Sequence, residues 1–299
     1  FFQAEDGIRD SSTSRGLGDV YKRQLLDATV RIVPEGHTIH RLAADLRKDF
    51  VSKRVEATSP QGRFAESAAL LNGIQMIKSE AWGKHLFCHW ENGNILHVHL
   101  GLIGKFRKVN RDDPPRDTIR LRLVYESSAW HLTGPQTCAL ITEDDLQDVI
   151  NKLGPDPLRV GLRGMSKFKK RLGESKKPIG AALLDQNLLA GIGNVYRAEL
   201  LFLCGIHPET PCNKIHDYQA EELWKWTVDL LRRGKKLNRI VTIQDEDKGT
   251  IKAKNKKRNN SLYAYKRAGL DCRRCPDEIV ISKLAGRSIW HCPNCQKRT

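Results

Sequence analysis

Residues 272–295 read CRRCPDEIVISKLAGRSIWHCPNC, and the spacing within this stretch decides how the C-terminal end of the chain is built. Cys272 and Cys275 form one Cys-x2-Cys pair, Cys292 and Cys295 a second, with sixteen residues between them. Two such knuckles place four thiolates in a closed tetrahedron. That is the ligand set of a structural Zn2+, since a catalytic zinc keeps one position open. Between the pairs, Ile279–Ser282 and Ser288–Trp290 flank Ala285-Gly286, which predicts a β-hairpin hung from the metal. Unpaired or disulfide-linked cysteines are the alternative. The other cysteines, Cys88, Cys138, Cys204 and Cys212, stand singly in apolar or mixed contexts and are expected to be small buried or partly buried residues.

Upstream of the cysteines the chain is helical in pattern. Asp144–Leu153 predicts a helix stopped by Gly154-Pro155-Asp156-Pro157. Lys167–Leu172, Pro178–Leu184 and Val195–Cys204 follow, and Tyr218–Arg233 is the longest, with Glu221 and Glu222 in its first turn and Arg232 and Arg233 in its last, which suits the helix dipole. The break Gly191-Ile192-Gly193-Asn194 between two helices is a helix-turn-helix candidate. Its glycines would let a phosphate approach the backbone, the next helix would offer free N–H groups, and Asn194 could cap or donate. A ligand-free αα-turn would look the same. Thr242–Asn260 reads as a polar linker or mobile loop, and Leu262–Lys266 as a short strand.

The first half of the chain has a different period. Ile39, Leu42, Ala43, Leu46 and Phe50 recur at three and four residues, predicting an amphipathic helix over Thr38–Phe50. Gly73–Ser79, Leu86–Trp90, Ile95–Leu100, Leu121–Tyr125 and Trp130–Leu132 have strand character, and Asn92-Gly93 between two apolar runs is a hairpin signal. The expected class is therefore α+β. An antiparallel β-sandwich-like domain flanked by helices spans 33–140, a helical domain with a basic loop at its end spans 141–260, and the zinc hairpin spans 261–299.

The 299 residues carry a formal net charge of +16. Residues 1–32 contribute none of it, because five acids (Glu5, Asp6, Asp10, Asp19, Asp27) cancel five bases (Arg9, Arg15, Lys22, Arg23, Arg31). The excess lies beyond them, with clusters at Lys167–Arg171, Arg232–Lys236 and Lys252–Arg258, and it favours a polyanionic partner over a merely solvated basic face. A mean hydropathy of −0.51 and the absence of a long apolar run exclude a membrane-spanning helix. With no secretory pattern at the N-terminus, a cytoplasmic protein is expected.

Val33-Pro34-Glu35-Gly36-His37-Thr38-Ile39-His40-Arg41 is the second fixed point. Phe1 to Gln24 resembles translated sequencing-adapter read-through, and no Met precedes Met76. Residues 1–32 are thus expected to be non-native, a disordered extension being the alternative, and Val33 is what a GTG start codon becomes when translated naively. Pro34 would then be the working N-terminus, with its secondary amine free.

Five motifs in order resemble the formamidopyrimidine-DNA glycosylase/endonuclease VIII family of base-excision repair enzymes. They are Pro34-Glu35-Gly36, Trp82-Gly83-Lys84-His85-Leu86-Phe87, Leu153–Leu158 (LGPDPL), Gly191–Glu199 (GIGNVYRAE), and Arg287 with the four cysteines ending Cys292-Pro-x-Cys295-Gln296. The resemblance implies a monomeric bifunctional glycosylase and AP lyase acting on damaged double-stranded DNA, with one structural Zn2+ held by Cys272, Cys275, Cys292 and Cys295. It implies Pro34 as nucleophile and Glu35 as general acid/base, with Lys84 at the catalytic turn. Lys84, Asn194 with Gly193, and Arg287 would hold phosphates flanking the lesion. Leu102 would be the wedge that fills the vacated stack, and Tyr265 joins the DNA-contacting set. His37-Thr38 replaces a second Pro-Glu found in many members. The form PEGHTIHR is similar to an endonuclease VIII sub-branch that favours oxidised pyrimidines over 8-oxoguanine. Ile103 stands where that sub-branch often has an aromatic.

Overall fold

The structure is a computed structural model that describes residues 34–247 and 261–298. The expectations for residues 1–32, for Val33 and for the basic tract within 249–260 lie outside them. Residues from Val33 onward form one compact unit.

Helix α1, Gly36–Phe50, buries Ile39, Leu42, Ala43, Leu46 and Phe50, the face that its periodicity marks. It packs on an antiparallel sheet built from β1 (Lys53–Thr58), β2 (Ile74–Trp82), β3 (His85–Trp90), β4 (Ile95–His99), β5 (Lys105–Asn110), β6 (Ile119–Tyr125), β7 (Ser128–Thr133) and β8 (Thr137–Ile141). The strand order is β5-β7-β6-β1-β2-β3-β4-β8. Lys53, Arg54 and Val55 pair with β2, whereas Glu56, Ala57 and Thr58 pair with β6, so one short strand serves two halves of the sheet. Leu86 and Val98 of one half share a core with Leu121, Leu123 and Leu132 of the other, which makes the domain sandwich-like as expected. The Asn92-Gly93 turn joins β3 to β4, with Gly93 at φ 82°.

Sequence periodicity misses four elements here: β1, β5, β8 and helix α2 (Ala65–Leu71). The reason is physical. Strands β5 and β8 are the two edges of the sheet, and β5 exposes Lys105, Arg107 and Lys108 while burying Phe106 alone. Edge strands carry such charges because these discourage pairing with another chain.

Helix α3, Glu143–Asn151, starts at a capping box between Thr142 and Asp145. Helix α4 (Pro157–Val160) begins at an Asp156 N-cap with proline in its first turn, and α5 (Met165–Gly173) follows a 3-10 turn. The expected Pro178–Leu184 helix shortens to α6, Ile179–Ala182. Helix α7 is Asn194–Leu203, and α8 is Asp217–Leu237, ending at Asn238 with φ 51°. None of the described helices is long and apolar enough to cross a membrane.

Thr242 and Ile243, where the expected linker begins, are buried, and the chain to Asp247 has neither helix nor strand. The rest of that linker, to Asn260, lies outside the described residues. One expectation fails next. Leu262–Lys266 is not a strand. The N–H groups of Tyr263, Ala264 and Tyr265 donate instead to the Glu199 carboxylate at 2.6, 2.8 and 2.8 Å, leaving none for a ladder. The hairpin between the two cysteine pairs is as predicted, β9 (Val280–Leu284) against β10 (Arg287–His291). Its turn residues Ala285 and Gly286 both have positive φ, the conformation a two-residue hairpin loop requires. Ile279, Ile289 and Trp290 belong to the same core as the helices, so the hairpin is packed rather than appended.

Candidate active site

Three backbone segments meet where side chains are absent. A Cβ on Gly36 would lie 2.8 Å from the Gly191 Cα, and one on Gly83 would lie 3.1 Å from the Ala190 Cβ. The Gly36 N–H donates to the Gly191 carbonyl at 2.7 Å. The start of α1, the β2–β3 turn and the break before α7 therefore touch directly, and Glu35, Lys84 and Asn194 emerge from one place.

Glu35 is fully buried. Its Oε2 accepts from the Gly193 N–H at 2.6 Å and its Oε1 from the Val195 N–H at 2.8 Å. The anion seat at the N-terminus of α7 is thus taken by a carboxyl group of this chain, which corrects the expectation that those N–H groups are free for a phosphate. Gly193 is glycine because of Glu35: a Cβ there would meet the Glu35 carboxyl carbon at 2.5 Å. Burial raises the Glu35 pKa, and the nearby Lys84 charge and the Val195 and Gly193 N–H groups only partly oppose it.

Lys84 is half-buried, and its Nζ donates to the Ile192 carbonyl at 2.5 Å. Burial lowers its pKa, Glu35 acts the other way, and the Arg287 charge lowers it further. Arg287 itself is exposed on the first residue of β10. Asn194 does not cap α7, whose N-cap is Gly193. Its amide Nδ2 donates to the Ser288 carbonyl at 3.2 Å, and the buried Arg197 guanidinium donates to both the Asn194 Oδ1 and that carbonyl. Helix α7 and the hairpin strand are joined there, next to Arg287. Burial, and then Arg287, push the Arg197 pKa down to about 10.

Sequence reading did not single out several supports of the site. The Gln186 Oε1 accepts from the Gly191 N–H at 2.9 Å, and its Nε2 donates to Ile192. The Asp156 Oδ2 accepts from the Gly83 N–H at 2.7 Å and from His40 Nε2 at 2.8 Å. Arg159 spans from α4 to the sheet, stacking 3.5 Å from the Trp82 ring and pairing with Glu80 at 3.2 Å. The one signal in reach was the Asp156-Pro157 pair, which reads as an N-cap before a helix. Beside Lys84, His85 meets His97 at 2.9 Å, and burial pushes His85 down to about 3 and His97 to about 4, so neither adds charge near neutral pH.

Leu102 stands apart from this convergence, 66% exposed beside Ile103 at 64% on the loop between β4 and β5. The His99 Nδ1 accepts from the Gly101 N–H at the base of that loop, at 3.2 Å. Tyr265 is buried edge-on against Trp290, with ring centres 4.7 Å apart. Pro34 is half-buried just ahead of Glu35.

The four cysteine sulfurs lie within 4.8 Å of one another. The pairs Cys272–Cys295 and Cys275–Cys292 are 3.8 and 3.4 Å apart, close to the ~3.8 Å edge of a tetrahedron with ~2.3 Å metal–sulfur bonds. The N–H groups of Arg274 and Cys295 point at the Cys272 and Cys292 sulfurs, each at 3.4 Å. The donor set fits a metal ion.

Residues 33–140 match the sequence family described as the formamidopyrimidine-DNA glycosylase N-terminal domain, and residues 153–245 match its H2TH domain. The chain belongs to the formamidopyrimidine-DNA glycosylase/endonuclease VIII family. Its members are DNA glycosylases with AP lyase activity, and the chain is a DNA-repair enzyme of this class. It is 40% identical over 269 residues to endonuclease 8 1 of Mycobacterium tuberculosis, covering 88% of this chain and all of that protein. It is 30% identical over 284 residues to formamidopyrimidine-DNA glycosylase of Parasynechococcus marenigrum, covering 88% and 99%. Lactococcus lactis formamidopyrimidine-DNA glycosylase, non-covalently bound to DNA containing an AP site, superposes with a TM-score of 0.73 at 27% identity, covering 88% of this chain and all of that one.

Proposed function

We propose that the chain removes oxidised pyrimidines from duplex DNA through a Schiff base on Pro34 and then cuts the strand by β,δ-elimination. The observation that carries this reading is the placement of Glu35. It is a buried carboxyl with a raised pKa, adjacent in sequence to the proline and beside Lys84. A free Pro34 amine is a strong secondary-amine nucleophile. Its attack on C1′ forms the N–C1′ bond as the damaged base leaves with the glycosidic electrons. Glu35, whose pKa burial raises, delivers a proton to the sugar ring oxygen as the ring opens to the iminium. The iminium draws electrons from C2′ as its proton is lost, so the 3′ phosphate leaves by β-elimination, and loss of a second proton, from C4′ of the conjugated iminium, expels the 5′ phosphate by δ-elimination.

Lys84, Asn194 and Arg287 would hold the phosphates that flank the lesion, while Gly193, whose N–H is given to Glu35, would only let the backbone come close. Tyr265 would contribute to the DNA-contacting surface beside the hairpin. The exposed Leu102 would fill the vacancy left by the flipped nucleotide. The preference for pyrimidines is supported by His37-Thr38, where burial pushes His37 down to about 4 and leaves a neutral imidazole edge-on to Tyr196. The enzyme would act as a monomer in the cytoplasm, on the nucleoid.

The decisive experiment is borohydride trapping on abasic-site duplexes. Protein that begins at Pro34 is expected to form a covalent adduct mapping to that residue, and to release thymine glycol faster than 8-oxoguanine. An adduct on the 299-residue chain that maps elsewhere sinks Pro34 as the nucleophile. The metal is read as one Zn2+ held by Cys272, Cys275, Cys292 and Cys295. When bound it supplies folding energy to the hairpin and takes no part in the chemistry. Replacing Cys292 with serine should release about one equivalent of zinc, measured by metal analysis, and unchanged zinc content refutes the site.

A further inference from the structure

We propose that Asp156 and His40 act as a positioning pair for the Lys84 turn, an inference that rests on the phosphate-holding role of Lys84. Asp156 is 3% exposed and His40 8%. The Asp156 Oδ1 accepts from the Leu158 N–H at 2.9 Å, which caps α4. Its Oδ2 takes two donors, the Gly83 N–H at 2.7 Å and His40 Nε2 at 2.8 Å. One oxygen atom therefore joins the helix that follows Glu35 to the turn that carries Lys84, and the same carboxyl starts the helical domain.

The turn needs this acceptor. Gly83 is buried, with φ 56° and its Cα packed against Ala190 and Gly191, and the described acceptor for its N–H is the Asp156 carboxylate. A buried N–H without a partner is costly, and any movement that relieves it swings the next residue, Lys84, off the Ile192 carbonyl. His40 holds the same carboxylate from α1 through its Nε2 at 2.8 Å. The chemistry is specific to a carboxylate. An asparagine at 156 has one acceptor oxygen for three donors. His40 can change tautomer and accept from the amide, but a backbone N–H has no such freedom, so either Gly83 or Leu158 is stranded.

The test is a double-mutant cycle in the full chain, reading dissociation constants for duplex DNA that carries a tetrahydrofuran abasic analogue, with melting temperatures alongside. Asp156→Asn should weaken binding about tenfold, the size of one lost charge-assisted hydrogen bond. In a Lys84→Ala background that loss should shrink to within about twofold, while the fall in melting temperature stays the same in both backgrounds. His40→Leu, which keeps the Asp156 carboxylate, should show the same dependence on Lys84 with a smaller loss of about threefold, and His40→Gln, which restores an N–H donor, should recover it. Equal losses with and without Lys84 would make the pair a packing feature only and overturn the proposal. A Lys84→Ala protein that binds as tightly as the parent overturns the phosphate role of Lys84 itself, and a weakening by Asp156→Asn in that case rules out a route through the lysine.

Discussion

Glu35 and Glu199 are both fully buried glutamates held by backbone N–H groups, yet they are used in opposite ways. Glu199 is saturated. Its Oε2 accepts from the Thr242 hydroxyl and the Tyr263 N–H, its Oε1 from the Ala264 and Tyr265 N–H groups. Arg267 and Arg273, nearby, donate to the Tyr263 and Leu262 carbonyls of the same segment. Glu35, in contrast, has three backbone N–H groups about its carboxyl, those of Gly193, Val195 and Tyr196, against the four donors on Glu199, and its pKa is raised. A carboxylate with every lone-pair direction filled builds structure. One with acceptor capacity to spare, next to a lysine, has room for a proton. The same residue type thus organises the chain leading to the zinc hairpin in one place and is left chemically available in the other.

Two substitutions, one of them followed across pH, break or sharpen that contrast. The largest effect is expected for Glu35→Gln, which keeps the volume but has no proton to give. Single-turnover base excision by protein starting at Pro34 should fall by about 10²–10⁴-fold, while the melting temperature falls less than in Glu199→Gln, because the amide NH2 faces fewer buried donors. A loss of stability as large as that of Glu199→Gln would place Glu35 in the structural class with Glu199. Glu199→Gln should do the reverse. It presents an NH2 group to donors that need acceptors, and should cost about 3 kcal/mol in urea unfolding. A loss of excision with no loss of stability would overturn the division between the two.

The smallest effect is a pH slope. Below the ordinary glutamate value of 4.5, Glu35 is protonated in the folded and unfolded chain alike, and its burial carries no ionisation cost. As pH rises from there toward the raised folded value, the unfolded chain releases a proton that the folded chain keeps, so this group's contribution to stability falls. Relative to the parent, Glu35→Gln should become progressively more stable as the pH rises above 4.5, and a flat difference would mean that burial does not raise the Glu35 pKa.

Much of the molecule was legible before any coordinates. The periodicity over Thr38–Phe50, the Asn92-Gly93 turn and the Cys272–Cys295 spacing are local signals, and each corresponds to the element it predicts. The edge strand β5 was not legible, because its exposed bases hide a single buried Phe106. The Leu262–Lys266 segment looked like a strand, since its residues are apolar and aromatic. Only the tertiary fold shows that its amide hydrogens go to Glu199, 64 to 66 residues earlier in the chain.

The site divides along the same line. Sequence alone picked out the residues that the proposed chemistry calls on, from Pro34 and Glu35 to Lys84, Arg287 and the four cysteines, because nucleophiles, cations and metal ligands are properties of residue type and short spacing. Tertiary structure decided who partners whom. The N-terminus of α7 holds Glu35 instead of standing open, Asn194 joins the hairpin instead of capping its helix, and Asp156 supports the lysine turn from 73 residues away. A backbone N–H carries no identity in sequence, so its partner is fixed only when glycines at 36, 83, 191 and 193 let distant segments come into contact.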